Sequence, residues 1–375
     1  MGKFRVVIVG GGPIRLTAAH ALPVARVDFL VLERRPNIVE DQGARTTLVV
    51  YPHTFRVMHQ FVILEPLLSI GSKLDHHLSF TADGHVFKEG SRYTRVHQNN
   101  GYGATAFHRA KLIEILYNGL PAAAKRGVLT GKSLVDITTQ ETGVEVNCAD
   151  GSVYWGSIVI GADEPFMATC QLLFGAFPTP SEPDLGYDTQ AKDKSIMYLS
   201  GPNRSWFFLY KRLPKPISER AKYTDEDAQA LAREFAEYPL TAAVEVEDLW
   251  PTMLGAGMTN LQEGIAQHWS LGRIVIVGDG CYKFTAHLGL GFNNGVQDIV
   301  VLCNGLRKAV RAALDENPDP AVLKTWLVIP KFVEDTVARY ISPELCKGQV
   351  LDYVRTEEVM EGEMRVHPMS ALAAT

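Results

Sequence analysis

The sequence predicts an α/β protein: a Rossmann-type nucleotide-binding domain, an inserted β-sheet substrate domain, and a C-terminal helical segment. Three observations predict it. A continuous apolar, β-branched run at residues 4–9 leads straight into glycines at 10–12, as a buried parallel strand ending in a tight turn does. A helical stretch at residues 14–22, stopped by Pro23, and a second apolar run at 27–32 complete a β–turn–α–β unit of about 30 residues. A strand-rich block then interrupts the alternation before an apolar run at 274–277 and a long helical stretch resume it.

The elements follow in order. Residues 109–125 form an amphipathic helix with Leu112, Ile115 and Leu116 on one face. Residues 144–146 and 153–160 flank Asp150-Gly151, a hairpin signal. Residues 195–212 read as two strands around a Gly-Pro-Asn turn. Thr224 caps a helix over 224–237, with acids in its first turn. A long helix covers 295–314, and the tail after Pro318 is helical, then polar. The expected division is a discontinuous Rossmann domain (1–75, 100–165, 270–318), a substrate-binding sheet (76–99, 166–269) and a helical tail (319–375), with the first strand flanked by parallel partners.

Composition excludes several classes. The chain has 375 residues, is 46% hydrophobic and 21% charged, and carries a net charge of −5, without the basic run of a nucleic-acid surface. Its five cysteines form no C-x-x-C pair, which suggests a reducing compartment and no disulfide framework. No apolar stretch approaches the roughly 20 residues of a membrane span. Residues 1–12 run directly into a strand, leaving no room for a signal peptide. The expected location is the cytoplasm, with peripheral membrane attachment left open. The expected partner is a small apolar substrate, and no metal is expected. His76-His77 is a tempting metal pair, but no ligand spacing completes it and a surface loop is the better reading.

The turn Gly10-Gly11-Gly12-Pro13-Ile14-Arg15 has the form of a dinucleotide turn, in which backbone N–H groups meet a diphosphate at a helix N-terminus. Gly10 makes the bend and Gly12 lets the backbone approach. The third glycine position holds Arg15. Glu33, 23 residues after Gly10, ends the second strand where a carboxylate can accept from a ribose hydroxyl. The motif alone leaves open a glycine-rich turn that binds no dinucleotide.

Other segments add to it. Residues 157–163 (SIVIGAD) place Asp163 after a buried strand, and residues 278–298 (GDGCYKFTAHLGLGFNNGVQD) open the long helix. With residues 6–16 and 29–34 they resemble the FAD-dependent monooxygenases of the aromatic-hydroxylase type, and among these the fungal epoxidases of meroterpenoid and indole-diterpene biosynthesis. His108-Arg109-Ala110-Lys111-Leu112, Trp206-Phe207-Phe208 and residues 258–269 (MTNLQEGIAQHW) match as well, so the likeness runs from residue 4 to about 315. The resemblance implies that NADPH reduces FAD, that O₂ adds to the flavin, and that the hydroperoxide oxygenates a bulky, terpenoid-like substrate. It places Glu33 at the adenosine ribose, Arg109 in contact with the FAD from its helix, Asp163 near the diphosphate, and Asp279 at the ribityl chain. It sets Gly289, Gly291, Asn293 and Asn294 against the flavin pyrimidine edge.

The sequence departs from that family where the flavin would lie. Besides Arg15, Glu164 replaces a glycine, Met167 and Cys170 replace a serine and an arginine, and Tyr282, Ala286, Leu290 and Phe292 replace His, Pro, Gln and a small residue. Phe292 is expected to put its ring where the backbone should approach the isoalloxazine, and Arg15 to reach Glu164 or Asp163 across the diphosphate position. Two readings follow. One is a flavin monooxygenase. The other is a homologue of the same fold that has lost FAD and acts as a non-redox cyclase, isomerase or pseudoenzyme, with His287 and Tyr282 as candidate acid–base residues. The expected substrate cavity lies between the inserted sheet and residues 286–294, mostly apolar, with Tyr198, Trp206, Phe208, Leu290 and Phe292 on its walls.

Overall fold

The computed structural model describes residues 4–39, 46–90, 92–161, 166–178, 185–201, 203–218, 221–284, 286–313 and 351. Strand β1 (Arg5–Val9) sits in a six-stranded sheet between two parallel partners. One is β2 (Asp28–Glu33) and the other is Ile158–Ile160. Val128–Thr130 extends the sheet beyond β2, and Ile274–Val275 and Ser270–Leu271 extend it on the other side. Val6, Val7 and Ile8 are fully buried, because helices cover one face and the three-stranded sheet Leu134–Thr139, Val144–Cys148, Val153–Gly156 covers the other. The apolar run at 153–160 is thus split between two sheets. Gly156 marks the break: a Cβ there would lie 2.7 Å from Val7.

Helix α1 (Pro13–Val24) crosses from β1 to β2 and packs on the long helix Leu290–Ala312. Ile14 is the wedge between them. A Cβ on Gly278 or Gly295 would meet its Cδ1 at 2.4 or 2.3 Å, so both glycines are required there. The long helix begins at Leu290, five residues earlier than the sequence suggests, and the helix expected over 109–125 is broken into Arg109–Asn118 and Ala122–Lys125 around Pro121. Thr224 forms a capping box with Asp227 at the start of Asp225–Arg233.

The second large sheet has eight strands, in the order Tyr282–Lys283, Gly255–Ile265, Met167–Phe177, Ser205–Ile217, Lys194–Ser200, Leu185–Ala191, His76–Thr81, Val86–Glu89. Strand alternation divides its aromatics. Trp206, Phe208 and Tyr210 face the nucleotide-binding side with Leu172, Met197 and Leu290. Tyr198, Phe207 and Leu209 face away and are covered by Leu231 and Phe235. His76-His77 opens a strand rather than a surface loop. His77 is buried and its Nε2 lies 2.6 Å from Asp188 Oδ2, and this carboxylate partner 111 residues downstream is what allows an imidazole inside.

Strand β3 (Thr47–Val50) leads into α2 (Pro52–Gln60). At the end of α2 the Gln60 carboxamide takes both backbone groups of Leu351. Its Nε2 donates to the Leu351 carbonyl at 3.0 Å, and its Oε1 accepts the Leu351 N–H at 2.9 Å. Leu351 is fully buried in the same core as β1 and α1. The rest of the segment expected as a helical tail lies outside the described residues.

Candidate functional site

The groove begins where β1 ends. Gly10 has φ +98°, a region side chains rarely adopt, and its N–H is tied to the Leu32 carbonyl at 2.8 Å. Gly12 is the N-cap of α1, with no side chain capping it and no acid in the first turn. Pro13 occupies the first helical position, where a missing N–H costs nothing. This leaves a helix N-terminus suited to an anion. The Gly11 N–H donates to Glu33, whose other bonds come from the Arg35 N–H and Nε, both at 2.9 Å. Burial works to raise the Glu33 pKa, yet the bonds from Arg35 and Gly11 outweigh it and hold the carboxyl below its usual range.

Arg15 runs back along this turn. A Cβ placed on Gly10 would lie 3.2 Å from its Cδ, one on Gly161 would lie 3.2 Å from its Nε, and one on Gly12 would lie 3.8 Å from Nη1. The guanidinium therefore overlies the glycine turn and the end of strand Ile158–Ile160. Asp163 and Glu164, its expected partners, lie outside the described residues.

Arg109 starts the helix Arg109–Asn118 and is solvent-accessible. The surrounding groove wall nevertheless lowers its pKa, with the Asp279 carboxylate opposing and Arg35 adding to the effect. An accessible group with that much protein around it sits in a concave surface. Asp279 is exposed, and its Oδ1 would be 3.3 Å from a Cβ on Gly291. Gly289 has φ +61° and precedes the long helix. Asn293 is fully buried and is committed to the protein. Its Oδ1 accepts from the Tyr51 N–H at 2.9 Å and the Thr54 hydroxyl at 2.8 Å, and its Nδ2 donates to the Val49 and Gly289 carbonyls, each at 2.7 Å. It staples the helix to β3 and α2 rather than presenting itself to a ligand. Asn294 differs: it is 4% exposed, and its Nδ2 has no partner among the described residues.

Three expected site residues turn inward. Tyr282 is 1% exposed and donates to Asp298 Oδ2 at 2.5 Å. It is a core residue whose hydroxyl is committed to Asp298, which argues against its reading as an acid–base group. Asp298 also accepts the Gly278 N–H at 2.9 Å, and burial pushes its pKa up to about 6 against the pull of both bonds. Phe292 is buried in one core cluster with Val296, Ile299 and residues of α1. Leu290 packs with Trp206 and Phe208 into one solid cluster. Tyr198 lies on the far face of the sheet.

The sheet carries a cavity of about 490 Å³, further along the same face. Ser195, Tyr210, His287, Asp188 and Cys170 line it. Ser195 Oγ and His287 Nε2 are 2.8 Å apart, and the imidazole stacks on the Tyr210 ring at 3.8 Å between centroids. Of these, His287 was legible from the sequence. Ser195 was not, although it faces Tyr210 directly across two antiparallel strands, whose ends are joined by the Gly201 N–H donating to the Arg204 carbonyl at 3.0 Å. A second cavity of about 760 Å³ adjoins it beside Thr169, Pro214 and Glu263. Neither is lined by Trp206, Phe208, Leu290 or Phe292.

A parallel sheet with a glycine turn at β1, a carboxylate ending β2, and an Asp at the mouth of a glycine-led long helix define a flavoprotein-type nucleotide groove. Residues 164–325 match the model of the FAD-binding domain family. The chain is 31% identical over 365 residues to the FAD-dependent monooxygenase dpchE of Colletotrichum higginsianum, covering 86% of this chain and 76% of that one. It is 29% identical over 370 residues to the FAD-dependent monooxygenase srdH of Neurospora crassa, covering 88% and 82%. Its fold is like that of Klebsiella pneumoniae HpxO complexed with FAD and uric acid, at TM-score 0.70 and 20% identity over 92% and 93% of the two chains. The chain belongs to the FAD-dependent monooxygenase family. Among the described residues, no helix is long and apolar enough to cross a membrane.

The groove fits that cofactor in chemistry. It offers an uncapped helix N-terminus, guanidinium groups at Arg15 and Arg109, and a buried amide donor at Asn294 that lacks an acceptor.

Proposed function

We propose that the chain is a flavin monooxygenase that hydroxylates or epoxidises a bulky, terpenoid-like natural-product intermediate, with NADPH as electron donor. The observation that carries this reading is the orphaned Asn294 amide at the mouth of the long helix, in line with Gly289 and Gly291. A buried donor without an acceptor is costly, and a pyrimidine carbonyl is the acceptor such a position suits. When bound, FAD supplies the redox chemistry and the activation of O₂. The chain's own residues do the rest. Gly10, Gly12 and the first turn of α1 meet the diphosphate, and Arg15 and Arg109 balance its charge. Glu33 holds the turn through Gly11 and offers its carboxylate to the ribose. Asp279 takes the ribityl hydroxyls beside Gly291. The test is the absorption spectrum of the purified protein, followed by titration with FAD. Saturable binding with a shifted flavin spectrum is expected, and its absence up to millimolar FAD would reject the reading.

A second reading has a specific observation behind it. The Arg15 side chain fills space over Gly10 and Gly161 that the family leaves to bare backbone. On this reading the fold has lost its flavin and performs a non-redox reaction. Arg15→Gly separates the two: it weakens FAD binding if the guanidinium balances the diphosphate, and strengthens it if the side chain blocks the site.

A further inference from the structure

The cavity on the eight-stranded sheet has a feature that the nucleotide groove does not explain. Tyr210 is 2% exposed, lines the cavity, and its hydroxyl has no hydrogen-bond partner among the described residues. Burial and then the Asp188 carboxylate push its pKa well above 10, so the group is a neutral O–H, available as a donor. Beside it, the His287 ring lies against the Tyr210 ring and its Nε2 is hydrogen-bonded to Ser195 Oγ at 2.8 Å. Tyr210 and the Ser195–His287 pair thus line one space of about 490 Å³, with the unpartnered Tyr210 hydroxyl buried beside it, within the size range of small-molecule sites.

The charges around the cavity narrow the ligand. Asp188 is held by His77 at 2.6 Å. Lys194 bridges to Glu234, and Arg212 pairs with Asp193. Burial, with Glu263 adding, raises the Cys170 thiol to about 11, so it is no thiolate nucleophile. The lining cations already have anionic partners, so an anionic ligand would lack a counter-charge. A neutral ligand whose oxygen accepts from Tyr210 suits the site.

We propose that this cavity is an acid–base site that enolises a neutral ketone. The carbonyl oxygen accepts the Tyr210 O–H. The α C–H bond breaks, its proton passes to the Ser195–His287 pair, and its electron pair forms the C=C bond as charge moves to the oxygen under the Tyr210 hydrogen bond. Return of the proton to the same carbon gives exchange, and return to a conjugated carbon gives isomerisation. No oxidant or reductant enters. The site stands whether or not FAD binds, and would supply the reaction of the non-redox reading above.

The test is α-hydrogen exchange of 2-tetralone in D₂O, followed by proton NMR with the full chain, before and after saturation with FAD. The expected result is exchange well above that of an equal concentration of free imidazole and independent of FAD. It should fall about 100-fold in His287→Gln and in Tyr210→Phe. Tyr210→Phe keeps the ring stack and removes only the hydroxyl, so a loss with an unchanged urea midpoint reports chemistry rather than folding. Ser195, a positioning residue, should shift the pH profile of exchange when changed to alanine. Exchange no faster than with imidazole, or equally fast in Tyr210→Phe, overturns the proposal. Failure of the FAD titration leaves it untouched.

Discussion

Two glycine-rich turns bound the nucleotide groove, and each departs from the family pattern, but in opposite directions. At the turn before the long helix, Leu290 and Phe292 point into apolar clusters, and Tyr282, just upstream, points at Asp298. The accessible edge there is left to Gly289, Gly291 and Asp279. At the turn after β1, the one departure, Arg15, lies on the groove side over Gly10 and Gly161. A replaced motif residue therefore has no fixed meaning. Below the backbone it repacks a core that tolerates volume-matched change. Above the backbone it changes what the groove can hold.

If this contrast is right, the second turn should be held by its interior and the first by its backbone geometry. The largest effect is expected at Asn293. Asn293→Ala removes four hydrogen bonds, three of them buried, so stability should fall by about 4 kcal/mol in urea unfolding. A loss under about 1 kcal/mol would mean that the helix mouth is not held this way.

Next in size is a pH effect beneath the same turn. Asp298 has its folded pKa raised to about 6, so the folded state holds its proton more tightly. The stability it contributes is full below pH 4 and is lost as pH rises through 6. His20, lowered by burial to about 4, acts in reverse: its contribution is full above pH 6.5 and is lost as pH falls through 4. The two oppose each other across one window. Asp298→Asn should uncover the His20 slope, with stability dropping by roughly 3 kcal/mol between pH 6.5 and 4. Urea midpoints measured across that range check it, and a variant as flat as the parent would refute the pairing.

At the first turn, Gly10→Ala forces a side chain onto φ +98° and toward Arg15, for a loss of about 2 kcal/mol. The smallest expected change is in ligand affinity. Arg15→Gly should shift FAD binding about tenfold, equal to about 1.4 kcal/mol, with little change in unfolding. Its sign decides between the two functional readings, and no shift at all would mean that the guanidinium is idle in both.

Much of this was readable in the sequence because it depends on local rules. Residues 4–33 gave strand, turn, helix and strand with their order and the parallel flanking of β1, since apolar runs and glycines act over a few residues. Thr224 and Asp227 gave a capping box for the same reason. What could not be read depends on which way a side chain turns once distant segments meet. The motif position of Phe292 is visible in sequence, but its orientation is set by α1 packing against it. The aromatics of the inserted sheet were legible as a cluster, while their sorting needed the strand register that opposes Ser195 to Tyr210. His77 read as surface because Asp188 is far along the chain.

The Gln60–Leu351 clasp has a consequence for how the protein is made. A core that contains β1, α1 and the long helix also contains a leucine 291 positions beyond its partner. Elongation at roughly 5–20 residues per second puts about 15–60 seconds between the emergence of Gln60 and that of Leu351. For that interval the socket at the end of α2 stays unfilled, with the Gln60 carboxamide lacking the backbone it binds. Completion of this core therefore waits until residue 351 has left the ribosome, and nascent intermediates should depend on chaperones that shield apolar surface.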